Sequence, residues 1–346
     1  MHSSDLIIYL PVVLSFVTTF SLCYLFVRKN WSFIPADIPN ERSLHNRPIT
    51  RAGGLAIGIG IYLAFVILFI AYEQWNEAFI YPIIAVLLVT MISLFDDYRN
   101  ISFMVRILFH FIAAALIAFF FVPNVSISLG TEIQMSPFTL ELLLMFIIVW
   151  FLNIFNFMDG SDGLAGTMAL IGFATFALLG LPGGHVYFTC ASLIIAAACT
   201  GFLYFNFPPA RLFMGDSGSI QLGLLICIFS IWGVGTGIFP FYAPFILFSP
   251  FIYDTSITLV RRIWRREKVW QAHKTHYYQR LIDSGWSHRK LLLAETLLML
   301  VCAMACVVLV KFPDFNLTVI FTGIIGLYLI LTVLAHRHCA RISAST

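Results

Sequence analysis

Long apolar runs alternate with short polar breaks along the whole chain. A helix needs about 20 apolar residues to cross the hydrocarbon core of a bilayer. Eleven runs approach that length: Leu6–Val27, Gly54–Tyr72, Phe79–Phe95, Met104–Val122, Phe138–Phe155, Leu164–Leu181, Val186–Phe205, Ile220–Val234, Phe239–Val260, Leu291–Val310 and Leu317–Ala335. The pattern predicts an all-α, polytopic integral membrane protein with 10 to 11 spanning helices in a single multi-pass domain over 1–346. The first run lacks a basic leader and a small-residue cleavage site, and Arg28–Lys29 follow it. It therefore reads as a spanning helix with a stop-transfer flank rather than a signal peptide. The stretch 123–137, where Val, Ile and Leu alternate with Ser and Thr around Gly130, reads as a short hairpin.

Composition agrees: 60% of the 346 residues are hydrophobic and 11% are charged, where soluble domains carry about a quarter. Basic residues then set the orientation. With the N-terminus outside, all of the 20 Lys and Arg except Lys311 fall on the cytoplasmic side, while Glu73, Glu77, Glu132 and Asp314 face outward. The C-terminus is then cytoplasmic. The formal charge of +3 reflects this bias and gives no reason to expect nucleic acid. The seven cysteines have no paired metal spacing and mostly lie inside apolar runs, where a free thiol packs as a small hydrophobe.

The polar breaks carry the chemistry. The stretch 153–167, NIFNFMDGSDGLAGT, spaces Asn153, Asn156 and Asp159 by three, with Asp162 continuing the interval. On a helix they fall near one face, and oxygen ligands of this kind suit Mg²⁺. Helix capping by Asn and Asp is the plainer reading. Asp96 and Asp97 adjoin at the end of the third run; adjacent carboxylates repel, so the pair needs either a raised pKa in one member or a cation, Mg²⁺ or the nearby Arg99 and Arg106. Asp216, in GDSGS, stands at the mouth of the eighth run among small residues, as a ligand or a cap. Arg42, His45, Arg47 and Arg51 make the loop 38–54 a basic cradle for phosphate or diphosphate. The loop 261–290 contains HKTHYYQR, whose His273, Lys274, His276 and Arg280 suit a sugar phosphate. Asp254, inside the ninth run, is either functional or paired with a neighbouring helix. Under one orientation all five motifs face the cytoplasm, and acids beside phosphate binders describe phosphoryl transfer at a membrane surface.

PNERSLHNRPITRAGG, DDYRN, NIFNFMDGSDGLAGT, FMGDSGS and THYYQRL resemble, in order, the motifs of the polyprenyl-phosphate N-acetylhexosamine-1-phosphate transferases, glycosyltransferase family 4 of the MraY/WecA superfamily. The resemblance covers roughly residues 35–290. It implies Mg²⁺-dependent transfer (Mn²⁺ being the alternative ion) of a sugar 1-phosphate from a UDP-N-acetylhexosamine to undecaprenyl phosphate, with release of UMP. It further implies catalytic roles for Asp96, Asp97 and His276, metal binding by Asp159, Asp162 and Asp216, and nucleotide-sugar binding by Asn153, Asn156, Lys274 and Arg280. Arg42, His45 and Arg51 would bind phosphate. Tyr278 and Gln279 stand where the subgroup that transfers GlcNAc carries histidines, so a 6-deoxy sugar such as FucNAc or QuiNAc competes with GlcNAc as donor. By resemblance the enzyme sits in a bacterial inner membrane, open to pairing as a homodimer, and initiates O-antigen or other surface polysaccharide. The rival class is a secondary transporter with an acidic ion site. Transporters place such sites near the midplane on broken helices, often within inverted repeats; these acids cluster at one face, and no repeat is visible.

Overall fold

The computed structural model describes residues 3–29, 35–37, 48–72, 77–99, 101–122, 136–268, 273–312 and 314–343. Residues 123–135 of the hairpin predicted over 123–137, and Arg42 and His45 of the basic loop, lie outside them. The described chain is almost wholly helical: α1 (Ser3–Arg28), α2 (Gly53–Tyr72), α3 (Ile80–Arg99), α4 (Phe103–Phe120), α5 (Pro137–Phe157), α6 (Leu164–Gly180) and α7 (Val186–Asn206). They are followed by α8 (Asp216–Gly235), α9 (Tyr242–Leu247), α10 (Ser249–Trp264), α11 (Tyr277–Asp283), α12 (His288–Lys311) and α13 (Leu317–Ser343). The two short strands β1 (Ala36–Asp37) and β2 (Ile49–Thr50) pair antiparallel.

Nine of the described helical stretches are long and apolar enough to cross a membrane, and α6 is a shorter apolar helix. The chain is thus a multi-pass membrane protein. The expected continuous span Phe239–Val260 is instead two helices, α9 and α10. Pro250 has no N–H to offer the carbonyl four residues back. That carbonyl, Ile246 O, accepts the Ser249 hydroxyl at 2.7 Å, so the break satisfies its own backbone.

The helices differ in depth. α8 packs against α2, α3, α5 and α6, and 78% of its most apolar window is buried, against 6% for α13. At the start of α8 the chain packs backbone to backbone: a Cβ on Gly54 would strike the backbone of Gly218. The segment before α2 also zips onto the FMGD strip, with Phe213 N donating to Thr50 O (2.9 Å), Gly53 N to Phe213 O (2.9 Å) and Gly54 N to Met214 O (2.8 Å). These contacts carry Arg51 to the edge of the α8 N-terminus. Of the seven cysteines all but Cys339 are buried, and all are free, as core filling requires.

Candidate active site

Four helices bring their polar ends to one place: the C-termini of α3 and α5, and the N-termini of α4 and α8. Asp97 accepts the first amides of α8, from Asp216 N and Ser217 N, both at 3.2 Å. The preceding Gly215 turns at φ +73°, a left-handed value that glycine adopts without strain. A side chain there would also press on the Asp97 carboxylate. Asp96 accepts from Ile101 N at 2.7 Å and pairs with the Arg106 guanidinium at 2.8 Å. The same guanidinium nitrogen reaches Asp216 at 3.0 Å. Asn156 closes the group by donating to Asp216 Oδ1 (3.1 Å) and Ser219 Oγ (2.9 Å).

Asp159 follows directly after α5. Burial, and then the charges of Asp216 and Asp97, push its carboxyl well above the usual carboxylate range, with Arg51 pulling the other way. Asp97, Asp159 and Asp216 therefore share one electrostatic field, and Arg51 is held beside them by Asp37 at 2.9 Å. Among the described residues no three acid, imidazole or thiol groups are already drawn into one coordination shell. The donor chemistry still fits a hard divalent cation. Three mutually repelling carboxylates lie within one another's fields, and Mg²⁺ takes one or two carboxylates and completes its shell with water and phosphate oxygen.

Asp162 is placed differently from the expectation. The interval of three continues a face only while the helix continues, and α5 ends at Phe157. The chain then turns through Met158–Gly163, the last at φ +76°. Asp162 is turned to the α7–α8 connection: it accepts from Ala210 N at 3.0 Å and stands 3.7 Å from His288 Nδ1. It fastens a turn and is not brought to the acid cluster. Asn206 assists by accepting from Gly163 N at 2.9 Å and donating to Leu212 O at 2.9 Å.

The HKTHYYQR loop closes the site through Asp254. This acid on α10 accepts from Tyr277 N (2.9 Å) and Tyr278 N (3.1 Å), the first amides of α11, and from Thr258 Oγ1 (3.2 Å). Its carboxylate is also 3.4 Å from His276 Nδ1. Tyr278 is fully buried; its hydroxyl donates to Phe157 O at 2.9 Å and accepts from Gln279 Nε2 at 3.1 Å. It sits so close over Gly160 that a Cβ there would strike the hydroxyl. The loop is thereby pinned to the turn that carries Asp159.

A cavity of about 580 Å³ opens among these groups, lined by Arg106, Asn153, Asn156, Asp216, His273, His276 and Gln279, with His110 and Ser93 further in. Asp96 acts on it through Arg106. Arg280 is not among its lining residues and lies over the Tyr277 ring, 5.5 Å from its centroid; Lys274 is half-buried in the same loop. That His110 lines this cavity was not legible, because a single histidine within an apolar run gives no signal beyond its rarity.

The fold and site are those of a polytopic membrane protein with a cavity of about 580 Å³ beside a cluster of acids at one end of its helices. Comparison with known proteins carries this further. The model of "Glycosyl transferase family 4" matches residues 79–234. The chain is 32% identical over 282 residues to the probable undecaprenyl-phosphate N-acetylglucosaminyl 1-phosphate transferase of Bacillus subtilis strain 168, covering 79% of this chain and 76% of that one. It is 30% identical over 290 residues to the decaprenyl-phosphate N-acetylglucosaminephosphotransferase of Mycobacterium leprae, covering 74% and 72%. Identity to the phospho-N-acetylmuramoyl-pentapeptide-transferase of Pelagibacter ubique is 30% over 250 residues, covering 61% and 66%. The chain belongs to glycosyl transferase family 4, in the MraY/WecA superfamily.

Proposed function

We propose that the protein transfers N-acetylhexosamine 1-phosphate from a UDP-sugar to a polyprenyl phosphate, undecaprenyl phosphate being the expected acceptor, and releases UMP. The observation that carries this reading is the convergence of Asp96, Asp97, Asn156, Asp159 and Asp216 with Arg106 and Arg51 beside one cavity, which Arg106, Asn156 and Asp216 line. Relatives named for the same transfer support it. So does a second cavity of about 280 Å³, walled by apolar side chains of α5, α8, α9 and α10 such as Ile147, Phe151, Ile231 and Phe245, which suits a hydrocarbon chain.

In this reading an oxygen of the lipid phosphate attacks the β-phosphorus of the nucleotide sugar, and the bond from that phosphorus to the bridging oxygen breaks as UMP leaves. One or two of Asp97, Asp159 and Asp216 would hold Mg²⁺, which would supply neutralising charge for the diphosphate. Arg106, held by Asp96, presents its guanidinium to phosphate. Asn156 orients the donor from α5, and Asp254, 3.4 Å from His276 Nδ1, holds the start of the loop that carries His276. The carboxylates, the guanidinium and the α8 terminus are positioned before substrate arrives, which is where most of the rate of a phosphoryl transfer originates. The sidedness of the basic residues supports a site on the cytoplasmic face, and the bacterial relatives support a bacterial inner membrane. Initiation of a surface polysaccharide such as O-antigen is the pathway role in keeping with the transfer.

The donor sugar is narrowed by the loop. Tyr278 is a buried strut, so the absence of histidine at that position removes no group from the cavity; Gln279 lines it. Gln279 is thus the position at which this chain's sugar preference departs from the histidine-bearing pattern. The test is UMP release by purified protein given undecaprenyl phosphate, Mg²⁺ and UDP-GlcNAc, UDP-GalNAc, UDP-QuiNAc or UDP-FucNAc. Release that requires both lipid phosphate and Mg²⁺ with one donor is expected. Silence with all four donors from folded protein would remove the assignment.

A further inference from the structure

The cavity continues one helical turn beyond the acids. On α4 it passes from Arg106 to His110 and on α5 from Asn156 to Asn153, and on α3 it reaches Ser93, one turn from Asp97. Residues three or four apart lie on one helix face, so this inner tier is about 5–6 Å deeper. Its polar groups are uncharged, and Ile107, Ile220 and Leu259 form apolar walls between them. His110 is 3% exposed. Among the described residues its Nδ1 has no hydrogen-bond partner, and neither does Nε of Arg106, one turn away. A buried polar atom left unpaired costs free energy comparable to a lost hydrogen bond, so two of them in residues that line one cavity mark a place for a ligand.

We infer that His110, together with the Nε edge of Arg106, binds the phosphate of the lipid acceptor, with the first carbons of its chain against Ile107, Ile220 and Leu259. This deepens the transferase reading and rests on it. The shape of the tier selects the acceptor over the donor: a phosphate monoester on hydrocarbon needs donors flanked by apolar walls. The diphosphate and sugar instead match the charged outer tier and the His273–Gln279 loop. His110 is then a binding residue specific to one of the two substrates.

The test uses full-length protein and compares wild type with His110→Phe and His110→Gln in UMP release, titrating each substrate separately. Loss of a hydrogen bond to a charged group costs about tenfold or more in affinity. His110→Phe should therefore raise KM for undecaprenyl phosphate about tenfold and leave KM for the UDP-sugar within about twofold. His110→Gln should recover most of the loss, because an amide restores a donor. A second readout needs neither turnover nor metal. In EDTA, farnesyl phosphate should raise the unfolding temperature of wild type but not of His110→Phe, with farnesol and inorganic phosphate giving less. Stabilisation by inorganic phosphate as strong as that by farnesyl phosphate would assign the tier to free phosphate and overturn the acceptor assignment. Equal rises in both KM values, or none, would also overturn it. Wild-type turnover in the same assay separates that failure from failure of the transferase reading. If His110→Phe does not fold, the KM split and the farnesyl phosphate shift of His110→Gln against His110→Leu decide.

Discussion

Acids do opposite work in two regions of this molecule. At the cavity mouth acid faces acid: Asp97, Asp159 and Asp216 lie in one another's fields, with Asp96 and Asp216 sharing a single guanidinium. At the two fastening points each acid faces backbone amides and an imidazole. Asp162 takes Ala210 N beside His288, and Asp254 takes Tyr277 N and Tyr278 N beside His276. Asp97 too accepts two amides, those of α8, so the regions differ in the carboxylates crowded around the acid and not in the amides it holds. Crowded acids leave like charges opposed, a cost tolerated where a cation and phosphate are to be bound.

The contrast sets the order of expected effects. Asp216→Asn or Asp97→Asn should lower lipid-dependent UMP release by at least about a hundredfold, while the protein still inserts and elutes as wild type. Near-normal turnover in both variants would dissolve the distinction between the two regions. Asp254→Asn should cost roughly 2 kcal/mol of local stability by weakening charge-assisted bonds to two amides. It should show first as faster hydrogen exchange at Tyr277 and Tyr278 and a rise in donor KM; unchanged exchange would mean that α11 is held by other contacts. Asp162→Asn should change thermal stability by about 1 kcal/mol and leave turnover within a fewfold; a loss as deep as that of Asp216→Asn would return Asp162 to the metal set.

The smallest effect is one of pH. Burial, then the neighbouring His276 and Arg262 charges, lower the His273 imidazole from 6.5 to about 4. Between those values the unfolded chain binds a proton that the folded chain refuses. Stability therefore falls as pH drops from about 6.5 toward 4 and is independent of this group above about 7. His273→Phe should flatten that slope in a thermal-unfolding series; an unchanged slope would trace it to other groups.

Most of the helices were legible because hydropathy reports burial in lipid or protein alike. The same fact hides position: nothing in the apolar content of α8 and α13 says that one is enclosed and the other nearly bare. The break between α9 and α10 turns on the Ser249 hydroxyl replacing an amide that Pro250 lacks, a local exchange invisible to a hydropathy window. The acids of the site were legible as residue types at helix ends. Which of them converge was not, since α5 stops before Asp159 and a helical interval misplaces Asp162. Tyr278 read as a departure in a sugar-selecting loop; its burial against Gly160 shows that it fills space.

The most direct measurement titrates Mn²⁺, as a paramagnetic stand-in for Mg²⁺, into wild type, Asp216→Asn and Asp162→Asn, following free ion by electron paramagnetic resonance. The account predicts one site in wild type and in Asp162→Asn, and its loss or severe weakening in Asp216→Asn. Binding that survives in Asp216→Asn but fails in Asp162→Asn would contradict it.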